Sequence, residues 1–467
     1  MTSPPATSTQ GLPQVPLHAP LSARYRDTFA FPTIKDRCPV ILCKVIDHLH
    51  RQRNHIAREL GPEAGQGLYT VVEQLSKLRY EMQTDKPITD IEDGAGNAAV
   101  WNDYLQRQKQ LGEKPSWFSS AWMWVECYMY RRVLQSVNMT GVPKLRCALL
   151  CSSFFGRLIP TVNCRDFDFF RHQKEEGFHG SLGSMRQLSS WLLPKLRAME
   201  QDEEERSASR LAELWHMLVQ VSLWGNRCDL SISAGSRAVA TGDPVTALAA
   251  LRRHILADTS PRCWQHLAAT QPPASVSIVM DNCGFELFTD LCLADFLVTS
   301  GAAARVRLRI KDQPWFVSDT TAADLEWSLA QLAGEQHTAQ LAARWRHHLQ
   351  AGVWTVHSDG FWTHPHTFHE MADCDPNLYN DLSNDALVIF KGDLNYRKLV
   401  GDLNWQTTVP FSEALKGFRP GRVLAVRTAK ADVMVGLEAG QAETVAEEDE
   451  EWMVTGRWGV LQYADKL

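Results

Sequence analysis

Two acidic residues follow two apolar runs of the sequence, close to the point where each run ends. SVSIVM leads directly into Asp281 and Asn282, and RVRLRI is followed by Asp319 in PWFVSD. Carboxylate and amide oxygens are hard ligands of the kind that Mg²⁺ and Mn²⁺ prefer. Asp and Asn are also common helix N-caps, so either segment alone fits ordinary local structure. Two acids at two strand ends are what one shared cation would need.

Two further apolar runs lead into basic residues. ALVIF precedes Lys391 and Gly392 at a predicted turn, and RVLAV precedes Arg427 and Lys430. Backbone N–H groups at a glycine turn before a helix favour phosphate, and a lysine adds charge. A plain turn and ordinary surface cations would explain each segment separately. Acidic and basic strand ends together describe a cation plus an anion, which indicates a site for phosphoryl chemistry.

The elements around these residues predict an α/β fold. After about residue 271, short β-branched runs alternate with helical patterns such as FELFTDLCLADFLVTS. This alternation is typical of a mostly parallel, Rossmann-like sheet covered by helices. In such sheets ligands bind beyond the carboxyl ends of the strands, so the four segments are expected to meet at one edge.

The preceding part of the chain has a different texture. Apolar residues at three- and four-residue spacing, as in SAWMWVECYMYRRVLQSV, predict a helical domain over 23–250. The α/β domain is expected over 251–467. Residues 1–22 are rich in Pro, Ser and Thr and are predicted to be a disordered tail, because they offer little apolar surface to bury.

Composition and charge exclude several partners. The chain has 48 Lys+Arg against 54 Asp+Glu, without the basic excess that nucleic-acid binding needs. It has neither a signal-peptide pattern nor an apolar stretch near the ~20 residues of a membrane span. The 11 cysteines form no CxxC pair and are expected to be reduced thiols. We therefore expect a protein of the cytosol or nucleus, and the sequence leaves its oligomeric state open.

Several long motifs resemble one known family. MDNCGFELFTDL, WFVSD, VIFKGDLNYRKL and the stretch RTAK at 427–430 are similar to the DUF89 damage-control phosphatases, in particular the subfamily with an RTxK motif. The similarity extends over about residues 25–440 and includes VECYMYRR and SLWGNRCDLS in the helical part. The resemblance implies an α/β/α sandwich with a helical domain packed on it, in agreement with the patterns above.

The resemblance also implies roles for particular residues. It places a divalent cation (Mn²⁺, Co²⁺, Ni²⁺ or Mg²⁺) at Asp281, Asn282 and Asp319, and a phosphate group at Lys430. It implies small phosphorylated metabolites as substrates, among them fructose 1-phosphate and fructose 6-phosphate. Substrate contacts are implied for one loop, which consists of Gly392, Asp393, Leu394, Asn395 and Tyr396.

Residue chemistry adds to these roles. Lys391 and Arg427 are candidate phosphate contacts, and Asp281, Asp319 and Asp393 are candidate catalytic acids. Attack on phosphorus by a cation-positioned water and attack by an aspartate both remain open.

Five residues are weaker candidates. Glu286 follows the Asp281 segment, and Asn226 and Asp229 either close a helix or reach into the site. For Glu126 and Arg131, in an aromatic-rich helix, an ion-paired structural role is favoured over substrate contact.

One alternative function is methyl transfer from S-adenosylmethionine to protein glutamate carboxylates, a role reported for one relative. That chemistry would be expected to show a glycine-rich loop after the first strand of a nucleotide-binding sheet, whereas SVSIVM is followed by DNCG. A non-catalytic scaffold is disfavoured because the acids and lysines that the chemistry needs are present. Phosphate-ester hydrolysis is therefore the preferred prediction.

Overall fold

A mostly parallel sheet forms the centre of the structure, a computed structural model that describes residues 15–142, 168–225 and 250–466. Within these residues the strands are β1 Ile255–Asp258, β2 Ser275–Val279, β3 Arg305–Ile310, β4 Trp354–Ser358, β5 Leu387–Lys391, β6 Val423–Thr428 and β7 Gly459–Ala464. Their order in the sheet is β1-β7-β6-β5-β2-β3-β4. Neighbouring strands run parallel except for β6 and β7, which pair antiparallel.

Helices of eight or more residues are numbered here in chain order. They are α1 Cys38–Leu60, α2 Pro62–Gln83, α3 Ala98–Gln110, α4 Trp122–Asn138, α5 Arg171–Gly180, α6 Leu182–Gln201, α7 Ala208–Trp224, α8 Ser260–Ala268, α9 Phe285–Thr299, α10 Ala322–Ala333, α11 Ala339–Gln350, α12 Pro376–Ser383, α13 Gly392–Val400 and α14 Gln441–Glu448. None of these described helices is long and apolar enough to cross a membrane.

Both faces of the sheet are covered, which explains the near-continuous apolar runs of its central strands. Every residue of β5 and β6 is buried. Alternate side chains enter different cores, because successive residues of a strand point to opposite faces. Val388 and Phe390 join one core, whereas Leu387 and Ile389 join the other. The predicted α/β fold with a mostly parallel sheet is confirmed.

The helices that precede the sheet in the sequence pack on both of its faces. Apolar residues of α1 to α4 join the core that contains Phe390, and those of α5 to α7 join the core that contains Ile389. The predicted domain boundary at residue 250 remains a prediction, because residues 226–249 beside it lie outside the described part of the chain.

The predicted disordered tail is wrong for residues 15–22. The His18 N–H donates to the Asn404 carbonyl at 2.8 Å, and the Leu21 N–H donates to the Asp402 carbonyl at 3.1 Å. Leu21 is also buried in the core beside α4. The segment buries little apolar surface to offset the entropy that it loses on ordering, and these backbone hydrogen bonds supply stabilisation in its place. Residues 1–14 of the predicted tail lie outside the described residues.

The register of the parallel strands aligns the predicted site segments. Val279 of β2 pairs with Arg309 of β3 and with Phe390 of β5, and Lys391 pairs with Val426 of β6. The residues that follow these four strands therefore emerge side by side at one edge of the sheet. This edge is called the carboxyl edge below.

A buried carboxylate joins α9 to α11. Asp295 is fully buried, and both of its oxygens accept from Arg344 Nε at 2.8 Å. It also accepts from Trp345 Nε1 at 2.9 Å and from Thr299 Oγ1 at 3.0 Å. The N–H and O–H donors of Arg344, Trp345 and Thr299 belong to α9 and α11, so these two helices together stabilise the buried charge.

Asp295→Ala should lower the free energy of unfolding by roughly 3 kcal/mol, because the buried Trp345 N–H loses its acceptor and the partly exposed Arg344 guanidinium loses its buried counter-ion. Urea denaturation followed by circular dichroism measures the loss. Glu200→Ala is the matched control, since Glu200 pairs with the same arginine from an exposed position and should cost at most about 1 kcal/mol. Equal losses for the two variants would contradict this account.

Candidate active site

Three acidic side chains meet at the carboxyl edge. Asp281 lies just beyond β2, Glu286 lies in the first turn of α9, and Asp319 lies in the segment after β3. All three are buried. The strand ends are tied together by an isolated antiparallel bridge between Asn282 and Asp319 and by a hydrogen bond from the Thr320 N–H to the Asp281 carbonyl at 2.7 Å. The predicted convergence of Asp281, Asn282 and Asp319 is therefore present in the fold.

Hydrogen bonds fix the orientation of Asn282. Its Nδ2 donates to Asp281 Oδ2 at 2.7 Å and to Glu286 Oε2 at 2.9 Å. Its Oδ1 is on the opposite side of the amide, where it accepts from the Ser318 hydroxyl. The amide oxygen, which is the atom of Asn282 that can coordinate a cation, is held by Ser318 in this structure.

Like charges dominate the electrostatics of this cluster. Burial, followed by the negative fields of Glu286 and Asp319, raises the pKa of Asp281 well above its usual range. Burial also raises the pKa of Asp319, although Lys311 opposes the shift from 3.1 Å away. Carboxylates that repel one another in a buried site are stabilised by an added cation.

The charges buried in the cluster favour an added cation, and the half-buried Lys430 nearby supplies only part of the positive charge that they need. Four carboxylates, those of Asp281, Glu286, Asp290 and Asp319, are accompanied by the ammonium groups of Lys311 and Lys391. With all six groups ionised, two negative charges remain. The described residues include no group of three His, Cys, Asp or Glu side chains arranged to hold a metal ion. The candidate ligands remain those that the family resemblance implies, the carboxylates of Asp281 and Asp319 and the amide of Asn282, a hard-oxygen set that suits Mg²⁺ or Mn²⁺.

The absence of a side chain at Gly392 makes room for Asp281. Gly392 begins α13 with φ +84°, a left-handed conformation that glycine adopts without strain. A Cβ atom at this position would lie 1.8 Å from Asp281 Oδ2. The carboxylate therefore rests directly against the start of α13.

The remaining residues of the predicted substrate loop are mostly occupied by the protein itself. Leu394, Asn395 and Tyr396 are buried. The Asn395 amide donates to the Lys391 carbonyl at 2.8 Å, and the Tyr396 hydroxyl donates to Gln462 Oε1 at 2.9 Å. Their side chains thus hold the loop in place, and what the loop offers to a substrate is its backbone and the half-buried side chain of Asp393.

Lys391 is a counter-ion within the protein, not an exposed phosphate contact. Its Nζ donates to the Ser222 carbonyl at 2.7 Å and lies 3.3 Å from Asp290 and 3.4 Å from Glu286. Full burial lowers the pKa of Lys391, but the negative charges of Asp290 and Glu286 outweigh it and raise the pKa above its usual value. The structure does not support the predicted contact with phosphate, because the ammonium is enclosed by α7 and α9.

Arg427 is likewise fully enclosed. Its Nε donates to Asp393 Oδ1 at 2.8 Å, its other nitrogens donate to the carbonyls of Val433 and Ala431, and its guanidinium stacks on the ring of Tyr396. These contacts place Arg427 as the residue that orients Asp393, since its donors are already used.

Lys430 lies where an anion could reach it. Its backbone N–H donates to Asp393 Oδ1 at 3.1 Å, and its side chain is half-buried. Its positive field lowers the pKa of Asp281, which places the ammonium near the acidic cluster. Of the three predicted phosphate contacts, Lys430 is the one whose position is compatible with that role.

The weaker candidates divide into three groups. Glu286 belongs to the cluster through Asn282. Glu126 and Arg131 are buried in ion pairs, with Arg397 at 2.9 Å and with Asp93 at 2.8 Å respectively, as the structural interpretation of the sequence favoured. Asn226 and Asp229 lie outside the described residues.

Two members of the charge cluster are missing from the prediction. Lys311 directly follows β3, as Asp281 closely follows β2, so its position at a strand end was a usable signal. Asp290 lies four residues after Glu286 on an otherwise strongly apolar helix, where a buried charge calls for a partner.

Comparison with known proteins gives close relatives over the whole chain. A family model described as "Damage-control phosphatase ARMT1-like domain" matches residues 33–445. A protein named Damage-control phosphatase ARMT1 from Danio rerio is 41% identical over 456 residues, which cover 95% of this chain and 96% of the relative. The protein of the same name from Homo sapiens is 38% identical over 461 residues, covering 96% and 99%.

A solved structure of a DUF89 family protein from Pyrococcus horikoshii is similar at 13% identity and a TM-score of 0.39. The match covers 80% of this chain and 92% of that one.

Gly392→Ala should abolish divalent-cation binding, because the added methyl group occupies the place of the Asp281 carboxylate. Isothermal titration of the purified chain with Mn²⁺ measures this. Gly401→Ala is the matched control. Gly401 follows the last residue of the same helix with φ +80°, and a Cβ added there would lie no closer than 3.5 Å to its nearest neighbour, a carbon of Leu403. The control should lose stability, by about 1 kcal/mol, and keep its cation affinity. Mn²⁺ binding by Gly392→Ala at the unaltered affinity would rule out this site.

Proposed function

Since the chain belongs to the family of damage-control phosphatases with an ARMT1-like domain, we propose that it hydrolyses phosphate esters of small metabolites in a cation-dependent reaction. The relatives confirm the family resemblance that the sequence motifs indicated. The observation that carries the proposal is the buried excess of carboxylates at Asp281, Glu286 and Asp319, within the field of Lys430. A cation and a phosphate group together satisfy this arrangement.

The cation would be held by Asp281, Asn282 and Asp319. When bound there it would supply a Lewis acid that neutralises charge on the phosphate oxygens. Among Mn²⁺, Co²⁺, Ni²⁺ and Mg²⁺, the hard-oxygen ligands fit Mg²⁺ and Mn²⁺ well.

The protein's own groups would orient the ester. Lys430 would bind a phosphate oxygen as a point charge. Arg427 would hold Asp393 beside Lys430, so that the distance between this carboxylate and this lysine stays fixed. The backbone at the start of α13 adds N–H groups at the positive end of a helix, which favours an anion.

One acid would either be the nucleophile or activate a water molecule as the nucleophile. Asp281 could attack phosphorus itself or take a proton from water, and the raised pKa of Asp281 without a cation is compatible with either role once a cation restores its charge. Asp393 is less suited to attack, since its Oδ1 accepts hydrogen bonds from the Arg427 guanidinium and from the Lys430 backbone N–H. Asp319 would serve mainly as a ligand, because Lys311 already holds one of its oxygens.

The substrate class that we propose is hexose phosphates, with fructose 1-phosphate and fructose 6-phosphate as first candidates and metabolite damage control as the role. This assignment is supported by the family resemblance and by the half-buried charged side chains of Lys430 and Asp393. We place the protein in the cytosol or nucleus, which suits the free thiols of the described cysteines.

Methyl transfer from S-adenosylmethionine finds no support in the site. In the described sheet, β2 leads into the acidic cluster and β5 into Lys391 and Gly392, which accommodates Asp281. S-adenosylmethionine would need a glycine-rich loop at the carboxyl edge. The described residues place acidic side chains there instead.

Phosphate release from a panel of sugar phosphates and nucleotides, with each of the four cations and with chelator, tests the proposal. We expect hydrolysis of hexose phosphates that chelation removes. Asp281→Ala and Asp319→Ala should each abolish it while the circular dichroism spectrum is unchanged, and Asp103→Ala, an exposed acid on α3, should behave as wild type. Chelator-resistant turnover in the two site variants would contradict the assignment.

Lys430→Met should separate anion binding from cation binding. Loss of one charge-assisted hydrogen bond costs roughly 1.5–3 kcal/mol, so kcat/KM should fall by about ten- to a few hundred-fold. Mn²⁺ affinity of the free enzyme should not fall, because the variant removes a positive neighbour of the acids. Lys109→Met, on the exposed side of α3, controls for loss of one charge. Unchanged kcat/KM in Lys430→Met would show that this lysine does not bind substrate.

A further inference from the structure

The turn that delivers Asp319 is strained. Phe316 has φ +42° and Val317 has φ +70°, both in the left-handed region that non-glycine residues rarely adopt. Strain is greatest for a β-branched residue such as valine, because its Cβ substituents crowd the backbone. Neighbouring structure must therefore hold these two residues in place, and strain of this kind is concentrated at functional sites.

The strained turn sets the positions of two site residues. The Ser318 N–H donates to the Phe316 carbonyl at 2.9 Å, and the Asp319 N–H donates to the Trp315 carbonyl at 3.1 Å. The Ser318 carbonyl in turn accepts from the Cys283 N–H at 2.8 Å. If the turn relaxed, the Ser318 hydroxyl would leave Asn282 and the Asp319 carboxylate would move away from the cluster.

An aromatic side chain from α4 packs on this turn. The ring of Tyr130 stacks on Phe316 with centroids 4.7 Å apart and an interplanar angle of 27°, and its centroid lies 5.7 Å from that of Trp315. Tyr130 is 4% exposed, whereas Phe316 and Val317 are half-buried. The fixed ring thus closes over a turn that is otherwise partly open to solvent. Phe170 packs edge-on against Tyr130, with ring centroids 6.1 Å apart.

We propose that Tyr130 is a positioning residue of the active site: by stacking on Phe316 it keeps the strained turn closed and so holds Asp319 and Asn282 ready for the cation. The inference rests on the proposed function, since it assigns the cation to those residues. It gives a specific role to the VECYMYRR segment of the helical part, whose Glu126 and Arg131 are occupied in structural ion pairs.

Mn²⁺ titration calorimetry and thermal unfolding of the full chain test this role. Tyr130→Leu should weaken Mn²⁺ binding about tenfold, equivalent to ~1.4 kcal/mol, because the turn relaxes. Tyr130→Phe keeps the ring and should keep the affinity. Adding Val317→Gly to Tyr130→Leu should restore affinity to within about twofold of wild type, because glycine adopts a positive φ without strain. Adding Val317→Ala instead should restore little, since alanine keeps its Cβ.

A purely structural role for Tyr130 predicts the opposite pattern. In that case the loss in Tyr130→Leu would add to the effect of Val317→Gly without rescue, and this additivity would overturn the inference. Val317→Gly alone should raise the midpoint of thermal unfolding above that of Val317→Ala, and a midpoint no higher would also overturn it. Should Tyr130→Leu not fold, Phe316→Leu removes the same stack from its half-buried side and is combined with the same two variants.

Failure of the proposed function has a different signature. If the wild-type chain binds no Mn²⁺ and releases phosphate without any cation, the cation site and the positioning role both fall. If the wild type binds Mn²⁺ and glycine at 317 gives no rescue, the positioning role alone is wrong.

Discussion

Repulsion among buried carboxylates is the constraint on which the carboxyl edge depends. Asp281, Glu286 and Asp319 are held out of water within one cluster, and this is unfavourable unless positive charge or hydrogen-bond donors surround them. The neighbouring residues supply both positive charge and hydrogen-bond donors. Asn282 donates to two of the acids, Lys311 and Lys391 lie among them as buried counter-ions, and the remaining negative charge favours an added cation.

The same constraint explains why both helical layers reach this edge. Lys391 requires the Ser222 carbonyl of α7 and the acids of α9, which come from one face of the sheet. The turn before Asp319 requires the ring of Tyr130, which comes with α4 from the other face. A site built from strand ends alone would leave these charges and this strain uncompensated. The helices that precede the sheet in the sequence are therefore part of the active-site structure.

The sequence predicted which residues converge but not which way their side chains point. Strand ends of a parallel sheet share an edge, so Asp281, Asn282 and Asp319 could be brought together from the pattern alone. The direction of Lys391 and Arg427 depends on partners far away in the chain, a carbonyl in α7 for the first and the Asp393 carboxylate for the second. The packing of residues 15–22 was missed for a similar reason, because its hydrogen bonds go to residues 402–404, which local composition does not reveal.

The strand order has a consequence for the synthesis of the chain. Among the described strands β1 pairs with β7 alone, and β7 follows the other six in the chain. While the ribosome produces the segments between them, β1 has no neighbour and presents unpaired backbone groups, a state that invites aggregation. β2, β3 and β5 can assemble much earlier. The β1 end of the described sheet is therefore completed last, when β7 has been made.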